Sequence, residues 1–185
     1  MFAYHLEPNL RLELLAPRHA QELFAAVDAN REHLSPWMPW VPSTKSVADV
    51  EAFIATTLQQ LGEDNGFQTA IRAGQNIVGV IGMHKIDWRN KSTSLGYWLS
   101  QQAQGQGIMT KACAAYISHA FTQLGLHRVE IRCATENAKS RAIPERLGFT
   151  AEGTVREVES INGRYLSHVV YGLLSTEWNH TLVSS

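Results

Sequence analysis

Cysteine is scarce: Cys113 and Cys133 are the two thiols in 185 residues. Two are too few for a disulfide framework, and they lack metal-ligand spacing, so neither a stapled scaffold nor a metal site is expected. Both read as buried thiols in a reducing compartment. Long apolar runs are missing as well, and Met1 to Leu10 has no basic segment leading into an apolar one. A cytoplasmic location is therefore expected, with no membrane partner. Charge of one sign is also lacking: 16 Lys and Arg stand against 17 Asp and Glu, for a formal net charge of -1. Such a balance sets up no field for phosphate backbones, so nucleic acid is not expected as an obligatory partner. No repeat, low-complexity tract or Gly/Ser linker divides the chain, and one domain over residues 1–185 is expected. The 44% apolar and 18% charged residues present are those of a chain that folds by itself.

Periodicity supplies the elements. Leu10 to Leu14 alternates as a strand, and Pro17 suits the start of a helix whose Ala20, Leu23, Phe24 and Val27 share a face. Pro36, Pro39 and Pro42 make Leu34 to Pro42 an irregular loop carrying Trp37, Met38 and Trp40. Ser46 with Asp49 can cap a second helix, striped by Val50, Phe53, Ile54, Leu58 and Leu61 and ended by Gly62. Phe67 to Arg72 and Ile77 to Ile86 read as a hairpin across Ala73-Gly74-Gln75-Asn76. Ser94 to Leu99 is a further strand. Met109, Ala112, Cys113, Tyr116, Ile117, Ala120, Phe121 and Leu124 recur at helical steps, the strongest pattern in the chain. Val129, Ile131 and Cys133 alternate with charges, so that strand has one wet face. A short helix over about Ser140 to Leu147 stops at Gly148. Val155 to Glu159 and Arg164 to Leu173 flank Asn162-Gly163, a hairpin signal. The order implies a mixed α/β sheet with helices between strands.

Gln102-Ala103-Gln104-Gly105-Gln106-Gly107 joins a strand to the strongest helix. Glycines there let backbone amides approach a ligand, and the helix start adds unpaired amides that favour a phosphate oxygen. The Walker spacing is absent, and Thr110 stands where the dinucleotide motif has its third glycine. Two glycines alone would be an ordinary turn. In company with Leu95-Gly96-Tyr97-Trp98-Leu99, Asn137-x-x-Ser140, Arg146-Leu147-Gly148-Phe149 and Glu159-Ser160-Ile161-Asn162-Gly163-Arg164, however, Gln102-x-x-Gly105-x-Gly107 resembles the pyrophosphate motif of GNAT acyltransferases, in their RimJ/RimL-like branch. The resemblance implies a GNAT fold, a mixed, mostly antiparallel splayed β-sheet flanked by helices. It implies that acetyl-CoA enters between the strands ending at Leu99 and Ala134. It further implies that Trp98, Leu99, Gln102, Gln104, Gly105, Gln106, Gly107, Ile108, Met109, Asn137 and Ser140 hold that cofactor.

An acyl thioester brings its own leaving group, so such an enzyme must supply a neutral amine, a placed carbonyl and a proton for the departing thiolate. Deprotonating a lysine-like amine at pH 7 costs about 4.6 kcal/mol, an α-amine only about 1. N-terminal amines are the easier acceptors. Relatives often carry a glutamate at the position of Ser94; here that carboxylate is missing, and the usual base does not transfer. Glu159 resembles the carboxylate proposed as base in the RimJ/RimL-like branch, although a solvated hairpin charge paired with Arg156 or Arg164 is the plainer reading. Ser140 is the matching acid or thiolate donor, and equally a serine in the first turn of a helix. Pro144 cannot donate to the Ser140 carbonyl, which leaves that backbone open to a ligand. Asn137 reads as a pantetheine contact or an Asx turn. His84 is an alternative base, since imidazole titrates near neutrality, and more simply a satisfied histidine. Trp37 and Trp40 either wall the acceptor groove or pack beneath the loop. No nucleophilic role is expected of Cys113. The resemblance thus implies acetyl transfer to a primary amine, foremost a protein N-terminus of the ribosomal type, and a homodimer. A small-molecule amine, an aminoacyl-tRNA amine and a non-catalytic acyl-CoA-binding module are the alternatives.

Overall fold

Local sequence chemistry sets most element boundaries in a computed structural model that describes residues 3–179. In chain order the elements are β1 Ala3–Glu7, β2 Leu10–Leu14, α1 Ala20–Asp28, α2 Arg31–Leu34, α3 Val47–Gly62, β3 Gln68–Ala73, β4 Asn76–Met83, β5 Ser92–Leu99, α4 Ile108–Thr122, β6 Arg128–Ala134, α5 Ala138–Arg146, β7 Thr150–Ile161 and β8 Arg164–Leu174. The strands form an open eight-stranded sheet in the order β1-β2-β3-β4-β5-β6-β8-β7, mostly antiparallel, with β5 and β6 parallel. The chain divides into two compact units, one of residues up to Gly82 with Tyr97–Ile108, the other of Met83–Gly96 with residues from Met109 onward.

In the first unit, α3 starts on a reciprocal cap: Ser46 Oγ accepts from the Asp49 amide at 3.4 Å, while Asp49 Oδ2 accepts from the Ser46 amide at 2.8 Å. Its buried face is Val50, Ile54 and Thr57, packed with Leu15, Leu23, Val27, Ala70 and Val80. Phe53 and Leu61, expected on that stripe, are instead 43% and 39% exposed. Phe53 lies about 100° round the helix from Ile54, and Leu61 falls in the last turn. The helix ends at Gly62, with the left-handed backbone falling later, at Asp64 and Gly66. The β3–β4 hairpin closes through Gly74 at φ +60, with Ala73 opposite Asn76. β4 stops at Met83 rather than Ile86, and an isolated bridge from Asp87 to Ser92 follows in the second unit. The short polar strand β1 is an addition to the expected set, and α2 adds a helical turn ahead of the proline-rich loop.

A buried carboxylate ties the first unit together. Glu13 is 3% exposed and accepts from Arg11 Nε at 2.8 Å and Arg72 Nε at 2.9 Å, with His19 Nε2 at 3.4 Å. Burial alone would raise its pKa, but the hydrogen bonds and charges of the two arginines outweigh burial and hold it below the ordinary value. A carboxyl depressed in the folded state stabilises above its unfolded pKa, about 4.3, and loses that contribution as pH falls through the lower folded value. Glu13→Gln leaves two guanidinium groups short of a partner, so it is expected to lower stability at neutral pH by about 3 kcal/mol. Urea unfolding against pH should then show the wild type losing stability more steeply than the variant below about pH 4. Parallel curves would refute this assignment.

In the second unit Met109, Ala112, Cys113, Tyr116, Ile117 and Ala120 of α4 are buried, as are Val129, Ile131 and Cys133 of β6. Arg132 is exposed, so β6 has the expected wet side. The β5–β6 ladder runs from Ser92 opposite Arg128 to Leu95 opposite Ile131 and ends there, while the β6–β8 ladder continues to Ala134 opposite His168. Asn162 at φ +51 and Gly163 at φ +77 form the two-residue turn between β7 and β8. Among the described residues no helix is long and apolar enough to cross a membrane.

Candidate functional site

The glycine turn is assembled in the first unit. After β5 the Ser100 amide donates to the Val78 carbonyl at 2.7 Å, and a single 3₁₀ turn covers Gln101–Ala103. Asn30 Oδ1 receives the Gln101 amide at 2.9 Å, while Asn30 Nδ2 donates to the Ala26 carbonyl at 2.8 Å, which fixes the turn to the end of α1. Gln104 is extended, and its Nε2 lies 2.8 Å from His33 Nε2. Gly105 and Gly107 follow at φ +77 and +73, and α4 begins at Ile108. A Cβ on either glycine would meet nothing within 4 Å. The backbone angle therefore calls for glycine here, rather than lack of room. The first amides of α4 have no acceptor within their own helix, and its first turn carries no acidic side chain. The segment suits a phosphate group.

Trp40 of the proline-rich loop packs against Trp98 with ring centroids 6.2 Å apart and planes tilted by 52°, and against the core with Met38. Trp37 is half-buried. Packing beneath the loop thus accounts for Trp40.

The second unit holds the other candidates. Asn137 caps α5, its Oδ1 accepting the Ser140 amide at 3.1 Å, so the Asx-type reading describes its contact. Ser140 stands in the first turn, and its hydroxyl donates to Cys133 Sγ at 3.2 Å. It is therefore a serine already donating to sulfur. Pro144 lies inside α5 and offers no N–H to the Ser140 carbonyl. A network around the buried Tyr171 fixes this helix: Arg141 Nε donates to the Tyr171 hydroxyl at 3.0 Å, which donates to Glu145 Oε1 at 2.7 Å, and Arg141 also reaches the Thr135 carbonyl at 3.1 Å. Burial pushes the Tyr171 phenol up, so it stays a donor at neutral pH. Sequence reasoning missed this clamp, because nothing local links positions 141 and 171. Burial, and secondarily Cys133, pushes the Cys113 thiol well up. A thiol held protonated is a poor nucleophile.

Glu159 sits on β7 with its Oε2 3.3 Å from His168 Nε2. Arg164, one of the two arginines anticipated as its partner, reaches Glu136 at 2.9 Å instead. Distance along the hairpin explains the change: Arg164 lies beside the turn, opposite Ile161, whereas His168 comes level with Val155 beyond a bulge. His168 was missed by sequence reasoning. The Asn162-Gly163 turn offered a signal, because it puts Leu166 opposite Glu159 and so His168 on the same side two residues on.

Ser94, where relatives often carry glutamate, lies with its Oγ 3.1 Å from His84 Nδ1. A Cβ at Gly96 would come within 2.4 Å of His84 Nε2, so glycine makes room for the ring. His84 keeps solvent contact, yet the protein packed round it disfavours its charged form and lowers its pKa. A shallow depression of about 250 Å³ opens beside Ser94, lined among others by Lys85, Asp87, Arg128 and Glu130. Arg128 there reaches Glu130 at 2.9 Å and Glu152 at 2.5 Å. Among the described residues no cluster of His, Cys, Asp and Glu could hold a metal ion.

Comparison with known proteins adds an independent line. Residues 9–150 match the family described as Acetyltransferase (GNAT) domain. The chain is 34% identical over 180 residues to YdaF of Bacillus subtilis (strain 168), named provisionally as a ribosomal N-acetyltransferase, covering 96% of this chain and 98% of that one. It is 31% identical over 160 residues to the ribosomal-protein-serine acetyltransferase of Escherichia coli (strain K12), covering 85% and 88%. Among solved structures it superposes with a TM-score of 0.90 on RimL, a ribosomal L7/L12 alpha-N-protein acetyltransferase in complex with coenzyme A, at 25% identity and covering 94% of this chain and 98% of that one.

Proposed function

Because this chain belongs to the GNAT acetyltransferase family and is an acetyl-CoA-dependent N-acetyltransferase, we propose that its acceptor is the N-terminal α-amine of a protein, of the ribosomal kind. The likeness over nearly the full length to proteins named for that activity carries the reading. Acid–base chemistry supports it, since an α-amine needs only about 1 kcal/mol to deprotonate at pH 7. A ribosomal acceptor also implies a cytoplasmic enzyme, in one catalytic domain.

The residues present fit the cofactor. Gly105 and Gly107 hold a turn whose amides, from Gln104 to Met109, are suited to a pyrophosphate. The Trp98–Leu99 strand end and Gln102 belong to the same binding segment, while Asn137 serves the pantetheine. Acetyl-CoA supplies the acetyl group as a thioester, already activated. Glu159 takes a proton from the acceptor ammonium, so the nitrogen lone pair can attack the carbonyl carbon. Ser140 donates a hydrogen bond to the departing thiolate sulfur, as it now does to Cys133, and the second proton lost by the attacking nitrogen ends on that sulfur. Trp37 in the first unit and His84 in the second are the acceptor-side candidates that remain.

A coenzyme A release assay across N-terminal peptides, polyamines and aminoacyl-tRNA tests the acceptor. Fastest turnover is expected with a peptide bearing a free N-terminus; a preference for either other class would overturn the reading. The protein is also expected to be a homodimer, because Val155, Val158 and Tyr165 expose apolar surface on the last hairpin. Sedimentation at twice 20.6 kDa supports this, and a 20.6 kDa species at micromolar concentration contradicts it.

A further inference from the structure

The last hairpin departs from a regular ladder at one place. From the turn, Ile161 faces Arg164, Ser160 faces Tyr165 and Glu159 faces Leu166, but the next pair is Val155 with His168. Arg156, Glu157 and Val158 thus stand against Ser167 alone. Glu157 adopts φ +50, a left-handed backbone that a non-glycine residue enters at a cost of about 1–2 kcal/mol. Its amide donates to Ser167 Oγ at 3.0 Å, so the bulge is held across the strands. Bulges of this kind re-aim neighbouring side chains.

The side chain beside the bulge is Glu159, and His168, two residues beyond its facing Leu166, brings Nε2 to 3.3 Å from its carboxylate. We infer that His168 is the positioning residue of Glu159, setting the carboxylate for proton transfer from the acceptor amine; this rests on the reading of Glu159 as the base. The two partners are held unequally. β8 lies between β6 and β7, and His168 is paired with Ala134 on one side and Val155 on the other. The amide just past the end of β6, that of Thr135, donates to the Ser167 carbonyl at 2.8 Å, beside His168. Glu159 lies on the outermost strand, with three rotatable side-chain bonds and its side chain 32% exposed, against 16% for His168. A flexible base on an edge strand needs an anchor, and the imidazole is the anchored partner.

The chemistry assigns the atoms. A carboxylate oxygen only accepts, so the hydrogen in the 3.3 Å contact belongs on His168 Nε2. Drawn closer with substrate bound, that N–H engages Oε2 and leaves Oε1 to receive the proton from the ammonium nitrogen. At 3.3 Å the two groups stand at ion-pair distance, beyond the roughly 2.7–3.2 Å of an N–H···O hydrogen bond, and catalytic contacts of this kind shorten once the substrate is bound. His168 itself neither gains nor loses a proton in the step. It restricts where the carboxylate can be, and a base misplaced by about 1 Å can lose as much as a hundredfold in rate.

Initial rates with acetyl-CoA and a peptide carrying a free N-terminal serine, together with KM for each, test the inference in four proteins: His168→Leu, His168→Gln, Glu159→Gln, and Glu159→Gln with His168→Leu. Circular dichroism and thermal melting check folding. His168→Leu is expected to lower kcat about tenfold with KM for acetyl-CoA unchanged. His168→Gln, which retains an N–H able to reach Glu159, is expected to recover most of that loss. In the Glu159→Gln background the His168→Leu change should alter kcat by less than about twofold, since coupled residues are non-additive. An equal loss in both backgrounds overturns the inference, as does native kcat for His168→Leu. A His168→Gln protein as slow as His168→Leu also overturns it, because the imidazole would then be transferring the proton. A Glu159→Gln protein with native turnover instead removes the base reading on which the inference stands, and is read separately from the His168 variants.

Discussion

Replacing Glu159 by glutamine is expected to lower turnover at least about a hundredfold while coenzyme A still binds. The acceptor sets this requirement. An α-amine with a pKa near 7.8 is mostly protonated at pH 7, and the protonated form has no lone pair to attack a thioester. Something must take that proton. Ser94 has no carboxylate to offer, and its hydroxyl lies against His84. Glu159 sits beside a bulge that aims it and within reach of His168. Glutamine keeps the shape and one oxygen but removes the basic charge, so folding and cofactor affinity should be spared. Ser140→Ala should also slow turnover without unfolding α5, whose cap comes from Asn137. Near-native turnover of Glu159→Gln across pH would rule out Glu159 as the base and make His84 the group to replace next.

Gly105→Val is expected to weaken coenzyme A binding about thirtyfold to several hundredfold in calorimetry. Gly105 stands at φ +77, where a β-branched residue is an outlier, so the turn must rearrange rather than accept the side chain. A rearranged turn no longer aims its amides at a pyrophosphate. Hydrogen bonds to a charged group contribute about 1.5–3 kcal/mol each, and a loss of about 2–3.5 kcal/mol, little more than one such bond, gives the stated range. Space is not the issue, because a Cβ there would meet nothing within 4 Å. Gln106→Ala, which removes only the side-chain bond to the Gln102 carbonyl, serves as the control and should bind within about threefold of wild type. A valine variant that folds and binds normally would place the cofactor elsewhere.

How far these residues could be read from the sequence depended on whether their determinants are local. The Ser46–Asp49 cap, the Gly74 and Asn162-Gly163 turns, the Gly148 stop at φ +82 and the buried stripe of α4 all follow from residues within a few positions of each other. The glycine turn belongs with them, since its backbone angles depend on its own residues. The bond of Arg72 to Glu13, and Tyr171 between Arg141 and Glu145, depend on partners far apart in the chain. Periodicity says which face of an element is apolar, not which charges meet across strands. Phe53 shows the limit from the other side: helical spacing made it a core candidate, yet the core ends before reaching it. His168 falls between these cases, because the turn fixed the Glu159–Leu166 register while the bulge that sets His168 opposite Val155 was not written in any single residue.

The acceptor claim is tested most directly by where the acetyl group goes. The enzyme is incubated with acetyl-CoA and two versions of one peptide that contains an internal lysine, one with a free N-terminal serine and one with that α-amine blocked by formylation. Fragmentation mass spectrometry then locates the product. The account predicts a single acetyl group on the α-nitrogen of the free peptide and none on the blocked one. Acetyl-lysine in both peptides, at equal rates, would contradict it.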